Sequence, residues 1–263
     1  MAGDDDLISV PFRYIVWTVA GLPSSALFLC IFFAILLHYD DATATHCNVA
    51  NWLPSVSAAV ATYSPEKYIW RVFLGLHGAP RILLAFAFRN FLLTSPMQPF
   101  NNTKYFRYLC NIACFVHLVE NAALLLLTAI SSTENHDAHK IFFGIFAFSS
   151  LVYMLLATWL FSYSGRRRAI VKLGEQSYEY KCLCFAVSIL SLVSAMFFFV
   201  RHNAYCEPGV YTLFAISEYM VILSNIGFHS TLYLDFHGKS LSLTSSSRGY
   251  EYLPLPTHIE KST

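Results

Sequence analysis

His77 and Arg81 stand four residues apart inside the apolar stretch IWRVFLGLHGAPRILLAFAF, residues 69–88. Two further apolar stretches carry the same kind of pairing. FRYLCNIACFVHLVENAALLLLTAI holds His117, Glu120 and Asn121; YTLFAISEYMVILSNIGFHSTLYLD holds Glu218, Asn225 and His229. On a helix, positions i and i+3 or i+4 share a face. A charged residue at the centre of a membrane span costs about 2.5–3.5 kcal/mol on insertion scales, so such residues face a bundle interior and mark functional sites. The types present are suited to exchanging a proton (His, Glu) or holding an anion (Arg). Other apolar stretches of the chain carry no ionisable residue deep inside. The polar groups of these three must therefore share one interior.

The rest of the chain says what positions them. Of its 263 residues, 56% are hydrophobic and 13% charged, against about 25% charged in a soluble domain. The mean hydropathy is +0.50. A formal net charge of +1, with no basic cluster interleaved with aromatics, argues against a nucleic-acid partner. Six stretches, 14–38, 69–93, 106–130, 140–164, 181–201 and 211–235, reach the roughly 20 apolar residues that a spanning helix needs. They are continuous and too long for the alternating strands of about 10 residues that build a membrane barrel. The expected fold is all-α: a polytopic bundle of six transmembrane helices. The acidic start MAGDDD does not fit a secretory signal, so the first stretch is read as a retained span.

Lys and Arg set the orientation. With the N-terminus in the cytosol, Arg89, Lys104, Arg107, Arg166, Arg167, Arg168, Lys172 and Lys181 fall on cytosolic flanks; Lys67, Arg71, Lys140 and Arg201 fall opposite. Both termini are then cytosolic, with residues 1–13 as an N-terminal segment, 14–235 as the membrane domain and 236–263 as a disordered Ser- and Pro-rich tail. Of the seven cysteines, Cys47 and Cys206 alone reach the lumenal loops, so they are the expected disulfide. The sequon NNT at 101–103 lies on the cytosolic side and is expected to stay unglycosylated.

At about 1.5 Å per residue, His77, Glu120 and Glu218 lie about 11–15 Å below the lumenal helix ends, with Arg81 at about 20 Å. They are expected to meet in the lumenal half, while His229, nearer the other face, is expected to lie apart. HExxH, GxSxG and P-loop patterns are absent. His136 and His139 in NHDAH, at i,i+3 with Asp137 between them, are weak evidence for a metal at the lumenal rim and leave that question open; no metal site or cofactor is assigned.

Four blocks, NWLPSVSAAV, YIWRVFLGLHGAPR, VENAALLLLTAISSTENHDAH and RHNAYCEPGVYTLFAISEYM, resemble in order and content the Frag/DRAM/Sfk family of multi-pass membrane proteins. The resemblance runs from about residue 46 to 236. It implies a Golgi membrane protein acting in fatty-acid remodelling of glycosylphosphatidylinositol (GPI) anchors, at the step where a lyso-GPI is reacylated at sn-2 with a saturated, stearoyl chain. The partners it implies are GPI-anchored proteins, the lyso-GPI lipid, and an acyl donor, either a membrane lipid or acyl-CoA. Acyl transfer to a hydroxyl needs a base and a group that stabilises the oxyanion. The catalytic candidates are His77, Glu120 and Glu218; the substrate-binding candidates are Arg81, Asn121 and His117. Two other readings remain: a non-catalytic partner that presents the lipid to another enzyme, and a lipid transporter. The transporter would show matched inverted halves, and the two halves here carry unlike polar residues.

Overall fold

The computed structural model describes residues 6–95, 103–169 and 171–244. A strand β1 (Asp6–Pro11) leads into helix α1 (Phe12–Leu37). Two short helices follow, α2 (Tyr39–Thr43) and α3 (Val56–Ala61). Long helices α4 (Glu66–Leu93), α5 (Thr103–Ala129) and α6 (His136–Tyr163) come next. A single turn α7 (Arg166–Ala169) precedes α8 (Val171–Tyr205) and α9 (Val210–Ser230); α10 (Leu232–Asp235) and strand β2 (Ser240–Thr244) close the described chain.

Among the described residues, six helices are long and apolar enough to cross a membrane: α1, α4, α5, α6, α8, and α9 continued through α10. They pack as a ring, α1 on α4, α4 on α5, α5 on α6, α6 on α8, α8 on α9, and α9 back on α1. The six-helix bundle read from composition is the fold. α8 is the least buried of them. It turns Leu183, Leu190, Val193, Met196 and Val200 outward, a surface that suits lipid and not water. α8 also starts well before the apolar run at 181, because Arg167 pairs with Glu175 and extends the helix through its polar first turns.

Two apolar clusters fill the ring. One, towards the termini, joins Phe12, Leu84, Phe88, Phe106, Met154, Phe161 and Phe228. The other, towards the disulfide, joins Leu27, Cys30, Val56, Trp70 and Leu74. At the termini end Lys181 Nζ donates to Asp235 Oδ2 at 2.7 Å and Ser177 Oγ at 2.6 Å, pinning α8 to α10.

One expectation is corrected here. Residues 236–244 do not begin a disordered tail. Phe236 stacks on Phe12 at 4.4 Å, and β2 pairs antiparallel with β1 through Ile8↔Leu243 and Val10↔Leu241. The alternation of Leu241 and Leu243 with serines is a strand pattern, outweighed in a composition reading by the serines around it. Asn101 and the tail beyond 244 lie outside the described residues.

At the opposite end the loop after α1 folds over the bundle. Cys47 and Cys206 are bonded, as expected. Gly209 N donates to Ala50 O, and Trp52 N to Thr212 Oγ1. Gly209 has φ +77°, and a Cβ there would lie 2.6 Å from the Trp52 ring. Only glycine satisfies both the left-handed backbone and the close approach. The fold-over carries α3 into the mouth of the ring. Ser55 caps its start by accepting from Ala58 N, Tyr211 OH donates to Ser55 Oγ, and Tyr219 OH donates to Pro54 O.

Candidate functional site

Arg81 lies at the centre of the ring. α4 brings it inward because its apolar face passes through Trp70, Leu74, His77, Arg81 and Leu84, all buried. Gly78 lets α5 approach: a Cβ there would meet Leu125 at 3.1 Å, and the Gly78 carbonyl accepts from Asn121 Nδ2 at 3.1 Å.

Arg81 Nη2 donates to Glu120 Oε1 at 2.6 Å and lies 2.6 Å from His229 Nε2 and 3.3 Å from Asn225 Oδ1. Arg81 Nε donates to His117 Nε2 at 3.4 Å. Asn225 Nδ2 reaches both Glu120 Oε1, at 2.6 Å, and Ser150 Oγ, at 2.7 Å. The His117 ring packs against both Tyr153, at 4.2 Å, and His229, at 4.7 Å, and these two rings lie 5.5 Å from each other. Four helices thus meet in one network, and Arg81 is 3% and Glu120 0% exposed. A buried pair of this kind is tolerable only when hydrogen bonds satisfy it on several sides.

His77 sits one turn above Arg81. Its Nδ1 contacts the Leu74 carbonyl at 2.7 Å. A carbonyl only accepts, so Nδ1 carries the proton and Nε2 presents a lone pair. That Nε2 has no partner among the described residues. His77 is one of the residues lining a cavity of about 940 Å³, mouth included, together with Arg81, Glu218, Asn225, His229 and apolar side chains of α1, α4, α5 and α6. The guanidinium is not used up by the network: Nη1 makes no hydrogen bond among the described residues.

Glu218 lines the same cavity but bonds elsewhere. Its Oε2 accepts from Val56 N at 2.8 Å, so the carboxyl ties α9 to α3. The sequence-derived residues therefore divide. Arg81, Glu120 and His117 form one network, His77 stands above it, Asn121 holds α4 to α5, and Glu218 anchors the folded-over loop.

His229 is a correction. It was expected to lie apart, and it contacts Arg81 directly. Depth along the helix puts His229 about 7 Å below Arg81, a gap that the long guanidinium arm spans. Asn225 belongs with it, at i,i+4 on one face. Ser150 and Tyr153 on α6 were missed, because a serine and a tyrosine in an apolar run carry no charge to draw notice.

His117, Glu120 and His229 offer ligand atoms within 4.8 Å of one another. With Arg81 Nη2 already 2.6 Å from two of them, a cation holds the place that a metal would take.

A family model described as Frag1/DRAM/Sfk1/Cwh43P N-terminal domain matches residues 11–239. The chain is 58% identical over 261 residues to "Post-GPI attachment to proteins factor 2" of Caenorhabditis briggsae, covering 99% of both chains. The protein of the same name from Caenorhabditis elegans is also 58% identical, with the same coverage. "Acyltransferase PGAP2" of Xenopus tropicalis is 38% identical over 244 residues, 92% of this chain and 94% of that one. No solved structure matches. With a family model over the whole helical region and relatives aligned end to end, the chain belongs to the Frag1/DRAM/Sfk1/Cwh43 family.

Proposed function

We propose that this protein acts in GPI-anchor maturation by reacylating a lyso-GPI at sn-2 with a saturated, stearoyl chain, as an acyltransferase of the Golgi membrane. The names of the relatives supply the GPI context, and two of them, from Xenopus tropicalis and Danio rerio, are called acyltransferases. The observation that carries the reading is the cavity itself: apolar walls for an acyl chain, with Arg81 and His77, whose Nε2 has no hydrogen-bond partner among the described residues, together in its lining.

In this reading both termini are cytosolic, and the disulfide end faces the lumen, the side of the membrane where GPI anchors reside. The glycerol of the lyso-anchor enters from that end. Arg81 Nη1 binds the anionic phosphate beside it, a pairing that a guanidinium makes well. His77 Nε2 accepts the hydrogen bond of the sn-2 hydroxyl and orients it for acylation. Glu120 lies behind Arg81 and holds it in place; with Oε1 committed to Arg81 and Asn225 it is a positioning group. Glu218 keeps α3 over the mouth.

The test is made in cells lacking the endogenous protein, by mass spectrometry of GPI anchors on surface proteins. The full chain should restore anchors with a saturated sn-2 chain. Unchanged single-chain anchors, with the protein expressed and correctly placed, would contradict the reading. In the same cells, a glycan on Asn101 would overturn the orientation.

A further inference from the structure

One pair of side chains in the cavity lining lies outside the Arg81 network. Ser57, on α3, places Oγ 3.1 Å from His139 Nε2. His139, in the first turn of α6, contacts the Ile130 carbonyl through Nδ1 at 2.8 Å. A carbonyl accepts and cannot donate, so Nδ1 carries the proton and Nε2 turns its lone pair towards the Ser57 hydroxyl. A nucleophile in reach of a base, with the base oriented by a third group, is the general arrangement of covalent catalysis. Glu218 Oε1 is a second neighbour of Ser57 Oγ, at 3.4 Å, but the hydroxyl has one proton and His139 is nearer.

The place of this pair matters as much as its geometry. Ser57, His139 and Glu218 line two cavities at once. One is the His77–Arg81 cavity. The other, about 1060 Å³ including its mouth, lies against α8 and is walled by Leu192, Met196, Phe199 and Phe214, with Lys140 at its edge. Two apolar spaces that share one hydroxyl suit a transfer between two lipids. Lys140 beside the second complements a phospholipid phosphate.

We infer that Ser57 is a nucleophile activated by His139, which carries the acyl chain as an ester between a diacyl glycerophospholipid donor in the second cavity and the lyso-anchor in the first. This rests on the acyl-transfer reading and adds its covalent step. Ser57 Oγ attacks the donor's ester carbonyl while His139 Nε2 takes the hydroxyl proton. The tetrahedral adduct breaks its bond to the donor's glycerol oxygen, which leaves with the proton from His139. The products are acyl-Ser57 and a lysophospholipid. The sn-2 hydroxyl of the lyso-anchor, oriented until then by His77, turns its proton to His139 Nε2 as it attacks acyl-Ser57. Ser57 Oγ leaves and is reprotonated by His139. One ester is broken and one formed, with no redox change and no water consumed.

The experiment uses the full chain in liposomes with alkyne-stearoyl phosphatidylcholine, with and without lyso-GPI. Without acceptor, peptide mass spectrometry should find the label on Ser57; adding lyso-GPI should discharge it. Ser57→Ala should abolish the adduct and the product. Ser57→Cys should carry the label as a hydroxylamine-sensitive thioester, which guards against a folding loss in the alanine variant. His139→Gln should slow labelling by about 10²–10⁴-fold, the range typical of a lost general base. Undiminished product from Ser57→Ala would overturn the nucleophile and leave the acyltransferase reading standing. Neither adduct nor product from the folded wild-type chain would overturn both.

Discussion

Arg81 on α4 and Glu120 on α5 meet at 2.6 Å in the interior of the helical ring, where neither is more than 3% exposed. The pair joins a demand of folding to a demand of chemistry. An arginine buried this deeply must be neutralised, and the group that neutralises it also fixes where the remaining N–H groups lie.

Replacing Arg81 by Leu strands the Glu120 carboxylate. Breaking one side of a buried pair costs about 3–5 kcal/mol. The single variant should express poorly and lose its fold at lower temperature in detergent. Arg81→Leu combined with Glu120→Leu removes both charges and should recover most of the stability without recovering acyl transfer. Thermal unfolding followed by size-exclusion chromatography reads both effects. A single variant as stable as wild type would show that the pair does not hold the bundle.

His77 should behave differently. Its replacement by Ala loses one hydrogen bond, to Leu74 O, worth about 1 kcal/mol net. The protein should remain folded. GPI-anchored proteins in cells carrying this variant should keep one chain and be released from the membrane more readily, since each absent CH₂ weakens anchoring by about 0.8 kcal/mol. Flow cytometry for surface GPI proteins, with the shed fraction measured in the medium, provides the comparison. Normal retention with a stably expressed His77→Ala would remove His77 from the site.

The Cys47–Cys206 bond closes a separation of 159 residues and holds the loop that presents α3. Losing a native disulfide from a small secreted domain costs about 2–5 kcal/mol. Here the helices are held independently by their own packing, so the effect should concentrate on the loop. Cys47→Ser with Cys206→Ser should keep the six-helix bundle, raise proteolysis within 44–62, and reduce activity by loosening Ser57 and Glu218. Limited proteolysis with mass mapping decides it; an unchanged cleavage pattern would contradict the role given to the bond.

Glu134, in the turn between α5 and α6, has its carboxyl held down to about 2 from an ordinary 4.5, first by the Ser131 backbone N–H and then by Arg71. The group is on the surface, so the contribution is modest and salt-sensitive. Its sign is fixed all the same. A depressed carboxyl stabilises the fold above its unfolded pKa and ceases to as pH falls towards its folded one. The turn that carries the Ile130 carbonyl should therefore loosen between about pH 4.5 and 2. Hydrogen exchange at Ser131 and Asn135 should rise across that window, and Arg71→Ala should move the window upward. A flat profile would show that Glu134 does not clamp the turn.

Much of this was legible from residue types and spacing. The six spans follow from runs of apolar residues that no soluble helix needs. The Cys47–Cys206 bond follows from how few cysteines reach the loops, and the presence of Arg81 and Glu120 in one interior from how few ionisable groups the spans carry. That these two pair, while Glu218 bonds to Val56 N and not with His77 and Glu120, does not follow from depth along the helices. What was not legible depended on the fold-over of the first loop. Nothing local in NWLPSVSAAV says that Val56 N will find Glu218, far along the chain on α9, because that contact is set by the disulfide and by Gly209 under Trp52. Ser57 and His139 are brought together by the same fold-over. His139 stood out only as half of an incomplete metal motif, and Ser57 as one serine among many. His229 was misplaced for a simpler reason: depth along the helix axis ignores the length of an arginine side chain.

The most direct measurement of the central claim is a defined reconstitution. The purified chain is placed alone in liposomes with lyso-GPI and a labelled stearoyl phospholipid, and the lipid products are separated and weighed by mass spectrometry. The account predicts a two-chain GPI carrying the labelled stearoyl group at sn-2, formed by wild type and lost in His77→Ala. No such product from folded, disulfide-bonded protein, or product that appears only when a second membrane protein is added, would contradict it and make this chain a partner and not the catalyst.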